Sequence, residues 1–336
     1  MPDRPDARRE ALLTWLTKEL GLKVSRLVPA SKDASFRRYF RVSTDDAQYI
    51  AMDAPPDREL SEPFVRVAGW LAEMGLHSPR VLHHDLALGF LLLTDLGELQ
   101  YLDTLQSAPL EADRLYRDAL VALDQMQRRG VDYQSRLPPY DHALLTRELD
   151  LFHDWLCHKH LKLRFSAADA AGWRSTCDFL INAALLQPRV FVHRDYHSRN
   201  LMICEGSNPG ILDFQDAVEG AYTYDLVSLL RDCYVRWPAA LVESLAREFF
   251  RRCRDRFPVV GSRQFLRDFD LSGVQRHLKA AGIFARLELR DQKQGYLKDV
   301  PRTLAYIVEV APSYPELDFL QRLISERVVP ALEVPA

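Results

Sequence analysis

One segment constrains the fold of this 336-residue chain more than any other. It reads Phe191-Val192-His193-Arg194-Asp195-Tyr196-His197-Ser198-Arg199-Asn200, then Leu201-Met202-Ile203-Cys204, a turn at 205–209, and Gly210-Ile211-Leu212-Asp213-Phe214. An apolar strand feeds a polar loop, and a hairpin follows whose return strand ends on an acid. That order places Asp195 and Asn200 on one mouth and brings Asp213 back to face them. Magnesium prefers hard oxygen ligands and usually takes one or two carboxylates, so one Asp and one Asn amide, here Asp213 and Asn200, would suffice to hold it, with Asp195 kept separate from that pair. In kinase-type phosphoryl transfer such a set supplies a metal pair and a catalytic base, the role expected of Asp195, and catalysis rests on positioning and charge neutralisation.

The rest of the chain has to supply a scaffold for this hairpin. Ala11, Leu12, Trp15, Leu16 and Leu20 share a helical face that stops at Gly21. Short β-type runs follow at 24–28, 36–43 and 48–52, then a helix from Ser61 to Gly75 striped by Phe64, Val67, Ala68, Leu71 and Ala72. Strand signals recur at 81–83 and 90–94, and Asp95-Leu96-Gly97 breaks the pattern. Beyond it helical periodicity dominates at 110–128, 141–160, 167–186, 224–235, 239–254, 263–281, 301–310 and 316–329, with β-rich interruptions at 189–193, 201–204 and 210–212. The expected fold class is α+β, with a small antiparallel-sheet N-lobe over residues 1–97 and a mostly helical C-lobe over 98–336.

Charge narrows the partners. A formal net charge of -3, with Arg intermixed among Asp and Glu, lacks the basic stripe of a nucleic-acid binder. The five cysteines are widely spaced without a CxxC pair, so they read as small buried hydrophobes rather than zinc or disulfide ligands. No uncharged apolar run reaches membrane-spanning length, and the first residues lack an apolar leader. A monomer in the cytoplasm, acting on a small molecule and touching neither membrane nor nucleic acid, is expected.

The HRDxxxxN string with a later Asp matches the pattern of kinase-type phosphoryl transfer. It resembles the catalytic loop and metal-binding Asp of the aminoglycoside phosphotransferase and choline kinase superfamily. That resemblance implies a protein-kinase-like two-lobe fold using ATP and Mg²⁺. Segments 35–42, 52–56, 91–97, 224–232 and 295–303 resemble, more closely, the bacterial anomeric sugar kinases. Those enzymes phosphorylate the C1 hydroxyl of N-acetylmuramate and N-acetylglucosamine in peptidoglycan recycling.

Two departures stand out in the N-lobe. No glycine-rich loop is present, residues 31–39 taking its place, and the strand expected to carry a phosphate-binding Lys has Met52 instead. The cation is then sought on the preceding hairpin, at Arg37, Arg38, Arg41 or Lys32, with Ser35 beside them. Alternation places Arg37, Tyr39 and Arg41 on one face and Phe36, Arg38 and Phe40 on the other, which leaves the choice open. Thr94 and Leu96 mark the hinge that would meet adenine. For the acceptor sugar the candidates are His197, Arg231, Asp232, Arg276 and Arg302, with Gln275, Lys279 and Lys298 also available. Asp225 reads either as a support for the catalytic loop or as an ordinary helix cap.

Other acceptors remain open at this point. An aminoglycoside would need a strongly acidic pocket and choline an aromatic cage. A nucleotide-binding scaffold without turnover is motivated by the missing Lys. A protein kinase is disfavoured, since no A-P-E segment follows Asp213.

Overall fold

A computed structural model describes residues 6–30 and 36–333. The chain forms two compact units, Met1–Leu99 with Met202–Asp216, and Gln100–Leu201 with Ala217–Ala336. Ser35 and Lys32, expected near the nucleotide, lie outside the described residues.

The first unit is built on five antiparallel strands: β1 Arg26–Pro29, β2 Arg38–Ser43, β3 Gln48–Asp53, β4 Val81–Asp85 and β5 Phe90–Thr94, in the order β1-β2-β3-β5-β4. Phe40 and Val42 of β2, Ala51 of β3 and Phe90 and Leu92 of β5 form one apolar face, because alternate residues of a strand point the same way. Leu12, Trp15 and Leu16 of the opening helix cover it, with the Trp15 and Phe90 rings 5.9 Å apart. Each such buried side chain contributes roughly 1.5–3 kcal/mol. Gly21 closes that helix with φ +67°, a left-handed conformation that suits glycine. Asp53, fully buried at the end of β3, receives Nε of Arg8 at 2.8 Å and Nε of Arg38 at 3.0 Å. Met52 is equally buried and lies opposite Tyr39 and Leu91, so the position that lacks the Lys is a core position here.

Residues 202–216 belong to this unit for a specific reason. Ile203 N donates to Leu99 O at 2.8 Å, and Ile211 N to His77 O at 2.7 Å. Phe214 packs its ring, tilted by 38°, 4.8 Å from that of Phe64 on the helix Glu62–Glu73. A single cut after Gly97 therefore describes the division less well than one that also carries this hairpin across.

The second unit is mostly helical, around a 28-residue helix, Ser262–Leu289. The helical periodicity expected over 263–281 ends one residue before Gly282. The glycine sits mid-helix, where a Cβ would lie 2.2 Å from the backbone carbon of Leu151 and 2.4 Å from Phe152 N. It lets two helices touch backbone to backbone. Conversely, the helix expected over 224–235 stops at Leu230, because Asp232 Oδ1 accepts Tyr234 N at 2.9 Å and turns the chain. The strand Arg189–Val192 pairs with Val218–Ala221, a partner too short and glycine-broken to show a period in the sequence. Of the cysteines, Cys157, Cys233 and Cys253 are buried, whereas Cys177 and Cys204 are half-buried.

Candidate active site

The loop bearing Asp195 leaves the strand Arg189–Val192 and is held by two buried carboxylates. Asp225 accepts His193 N at 2.7 Å and Arg194 N at 2.9 Å. It therefore supports the loop rather than capping its own helix. Asp232 accepts Ser198 N at 3.0 Å and the Ser198 hydroxyl through Oδ2. Between these anchors the loop folds on itself, His197 N donating to Asp195 O at 3.0 Å and Asn200 N to His197 O at 2.9 Å. Asn200 Nδ2 also donates to Asp195 O, at 3.0 Å. With its amide nitrogen committed, Asn200 presents Oδ1 as an acceptor, the hard oxygen that magnesium takes.

Arg194 has φ +79°, a left-handed conformation unusual for a side chain of its size. Its guanidinium is clamped by Glu148, whose Oε1 also takes Lys279 Nζ at 3.1 Å and whose Oε2 takes Gln275 Nε2 at 3.1 Å and the Tyr140 hydroxyl. Lys279 further donates to the Tyr224 hydroxyl at 3.2 Å. Four donors, two of them from the helix Ser262–Leu289, thus converge on one buried acid beside the catalytic loop. Glu148 and Tyr140 had no local sequence signal; only the need of a motif arginine for a counter-ion pointed to an acid somewhere.

This network sets the charge of Asp195. Burial alone would raise its carboxyl, but the cationic Lys279, Arg194 and Arg276 outweigh that and hold it at about 2. The group is an ionised acceptor at neutral pH. His197 is pushed the other way, its pKa lowered by burial, so it stays neutral there. Replacing Lys279 with Met removes the strongest of those cations. The acid limb of the kcat/KM profile should move upward by roughly one pH unit as the Asp195 pKa rises, measured with buffers reaching down to the lowest pH at which both proteins stay folded.

The remaining sequence candidates separate clearly. Asp213 is half-buried with φ +61°, and Oδ1 accepts Gln215 Nε2 at 2.7 Å. Its carboxylate suits a hard cation. Among the described residues no three His, Cys, Asp or Glu side chains converge, so a cation there would complete its shell with nucleotide and water oxygens. Arg37 pairs with Glu59 at 3.0 Å, Arg38 with Asp53 and Asp6, and Arg41 with Asp95 at 2.6 Å. A phosphate would have to compete with these carboxylates. Thr94 Oγ1 accepts Arg80 N at 2.9 Å, and Leu96 O takes the Cys204 thiol at 3.5 Å.

On the acceptor side, Asp232 is buried with both oxygens engaged, which makes it a support of the loop. Arg231 pairs with Asp270 at 2.6 Å, and Arg302 bonds the carbonyls of Cys233 and Tyr234 at 3.0 and 3.1 Å and Asp299 at 2.9 Å. Arg276 is buried against the Cys233 sulfur at 3.5 Å. His197 is buried, and its Nδ1 has no hydrogen-bond partner. Arg199 shares its loop: the guanidinium lies 4.4 Å from the Tyr234 ring centre and 5.7 Å from that of Tyr296. His153 and His158 bond each other at 3.0 Å and form no metal site.

Known proteins resemble this chain over most of its length. The phosphotransferase enzyme family matches residues 26–259. An N-acetylmuramate/N-acetylglucosamine kinase of Pseudomonas aeruginosa is 47% identical over 332 residues, covering 95% of this chain and 97% of that protein. One of the same name from Pseudomonas putida is 45% identical, covering 97% and 98%. Among solved structures, the choline kinase LicA from Streptococcus pneumoniae superimposes with a TM-score of 0.62 at 12% identity, covering 90% of this chain and 99% of that one. At that identity the likeness shows the fold.

Proposed function

The chain belongs to the phosphotransferase enzyme family, and from that premise we propose that it transfers the γ-phosphoryl group of Mg·ATP to the C1 hydroxyl of N-acetylmuramate and N-acetylglucosamine. The observation that carries the acceptor is the near-full-length identity to kinases of that name. The reaction type is supported by the ionised Asp195 on its doubly anchored loop.

Asp195 accepts the proton of the C1 hydroxyl as the new oxygen–phosphorus bond forms and ADP departs. Its low pKa makes it chiefly an orienting acceptor, aimed by the Arg194 turn and the Asn200 amide. Asn200 and Asp213 would each offer an oxygen ligand to a magnesium ion, which would supply neutralisation of phosphate charge. Of the two hairpin arginines proposed for the nucleotide, Arg37 or Arg38 would meet the phosphates by exchanging part of its carboxylate pairing for them. Thr94 and Leu96 lie along the adenine edge. His197 offers its unpartnered Nδ1 to the sugar; Arg231, Arg276 and Arg302 shape the same region, and Asp232 acts through the loop. No described helix is long and apolar enough to cross a membrane. The reading places the enzyme in the cytoplasm, recycling cell-wall sugars as a monomer.

The test is an acceptor screen with ATP and magnesium read by ³¹P NMR. A phosphate doublet coupled to an anomeric proton is expected with both amino sugars. Phosphorylation of choline or an aminoglycoside in their place would favour the alternative acceptors, and magnesium-dependent ATP binding with no product would favour a scaffold.

A further inference from the structure

We infer that Arg199 binds the lactyl carboxylate that distinguishes N-acetylmuramate from N-acetylglucosamine, and so sets the preference between the two sugars. The inference rests on the acceptors proposed above. Arg199 lies four residues after Asp195 and immediately before Asn200, on the loop whose two ends are anchored by Asp225 and Asp232. Of the neighbouring arginines, Arg194 is spent on Glu148, Arg231 on Asp270 and Arg302 on Asp299, while Arg276 is buried against the Cys233 sulfur with its charge felt by Asp232 and Asp195. Among the described residues no carboxylate pairs with Arg199. The acid whose charge it does influence, Asp299, is already held by Arg302 at 2.9 Å.

Aromatic rings hold the guanidinium in place. It lies over Tyr234, which packs against His197 at 5.4 Å and Phe284 at 6.0 Å, while Phe284 in turn stacks on Tyr296 at 6.0 Å. The Tyr234 and Tyr296 rings, whose hydroxyls also meet its N–H groups, orient the arginine without neutralising its charge. A carboxylate can displace these neutral acceptors and take the guanidinium bidentately, the geometry that arginine matches and lysine does not. The residue is half-buried, so such a pair would be partly shielded from water. A second polar group on the same loop lacks a partner: Nδ1 of His197, packed against the same Tyr234 ring. A solvated surface arginine would need neither the aromatic frame nor this neighbour.

The two sugars differ by the lactyl ether alone, so a charge-assisted pair made only with N-acetylmuramate changes their ratio. Its loss is expected to be roughly 10- to 100-fold in kcat/KM. The experiment compares wild type, Arg199→Met and Arg199→Lys on N-acetylmuramate, its methyl ester and N-acetylglucosamine, with melting curves for each protein. The expected result is a ratio of N-acetylmuramate to N-acetylglucosamine kcat/KM at least tenfold lower in Arg199→Met and partly restored in Arg199→Lys. Esterification should penalise the wild type and leave Arg199→Met indifferent. A ratio within twofold of wild type, or an equal ester penalty in both proteins, overturns the inference. Should Arg199→Met fail to fold, the wild type alone decides, since equal turnover of acid and ester also overturns it. A wild type that phosphorylates neither sugar removes the proposed function, and this inference with it.

Discussion

Asp195→Asn should lower kcat by roughly 10²- to 10⁴-fold while the melting temperature moves little. The substitution keeps the size and planarity of the side chain, and the contacts that shape the loop run through the Asp195 carbonyl, which accepts His197 N and Asn200 Nδ2, not through its carboxylate. What is lost is a negative acceptor for the hydroxyl proton. A second effect separates this from a generic loop defect. The charges of Lys279, Arg194 and Arg276 converge on Asp195, so the amide leaves them facing a neutral group, and an anionic product or nucleotide phosphate should bind at least as tightly as in wild type. Steady-state kinetics together with calorimetric titration of ATP check both halves. Unchanged kcat would remove Asp195 from the chemistry.

The parts of this site that were legible in the sequence are those whose chemistry demands a fixed local spacing. Asp195 and Asn200 sit five residues apart because one loop must carry both, and Asp213 follows after one hairpin. The strand Phe90–Thr94 was legible for a similar reason, as an unbroken apolar run ending in turn residues. The supports were not. Asp53 meets Arg38 across 15 positions and Arg8 across 45, and Glu148 meets Arg194 across 46. Such pairs depend on where the elements come together, and a local pattern carries no trace of that. Arg38 illustrates the cost: an arginine facing a buried acid has the same alternation as one facing a phosphate. The helix Ser262–Leu289 outruns the range expected at 263–281 for a related reason, since Gly282 serves the approach of a neighbouring backbone that no local pattern shows.

Glu148→Ala should be the most destabilising single change in the second unit, at roughly 3–5 kcal/mol. The wild-type carboxylate is buried and satisfies Arg194, Lys279, Gln275 and the Tyr140 hydroxyl at once. Truncation leaves two cations in a poorly solvated site without their counter-ion, and breaking a buried pair on one side costs far more than the pair itself is worth. Burial raises the Glu148 carboxyl, but Lys279 and Arg194 outweigh it and hold the pKa below the ordinary range. A depressed acid stabilises the fold fully above its unfolded value, near 4.3, and loses that contribution as pH falls through its folded value. The melting-temperature gap between wild type and Glu148→Ala should therefore be largest near neutrality and narrow in acid, as scanning calorimetry across that range would measure. A gap independent of pH would mean that packing, not charge, is what Glu148 supplies. Catalysis should fall as well, because Arg194 keeps its left-handed backbone, with φ +79°, under the Glu148 clamp, and Asp195 is the next residue. Glu148→Gln, which retains the shape and an acceptor oxygen but not the charge, should lie between the two in stability. If it restored kcat but not the melting temperature, the clamp would orient the loop by hydrogen bonding and stabilise it by charge, two roles that one buried side chain can hold because its two oxygens face different donors.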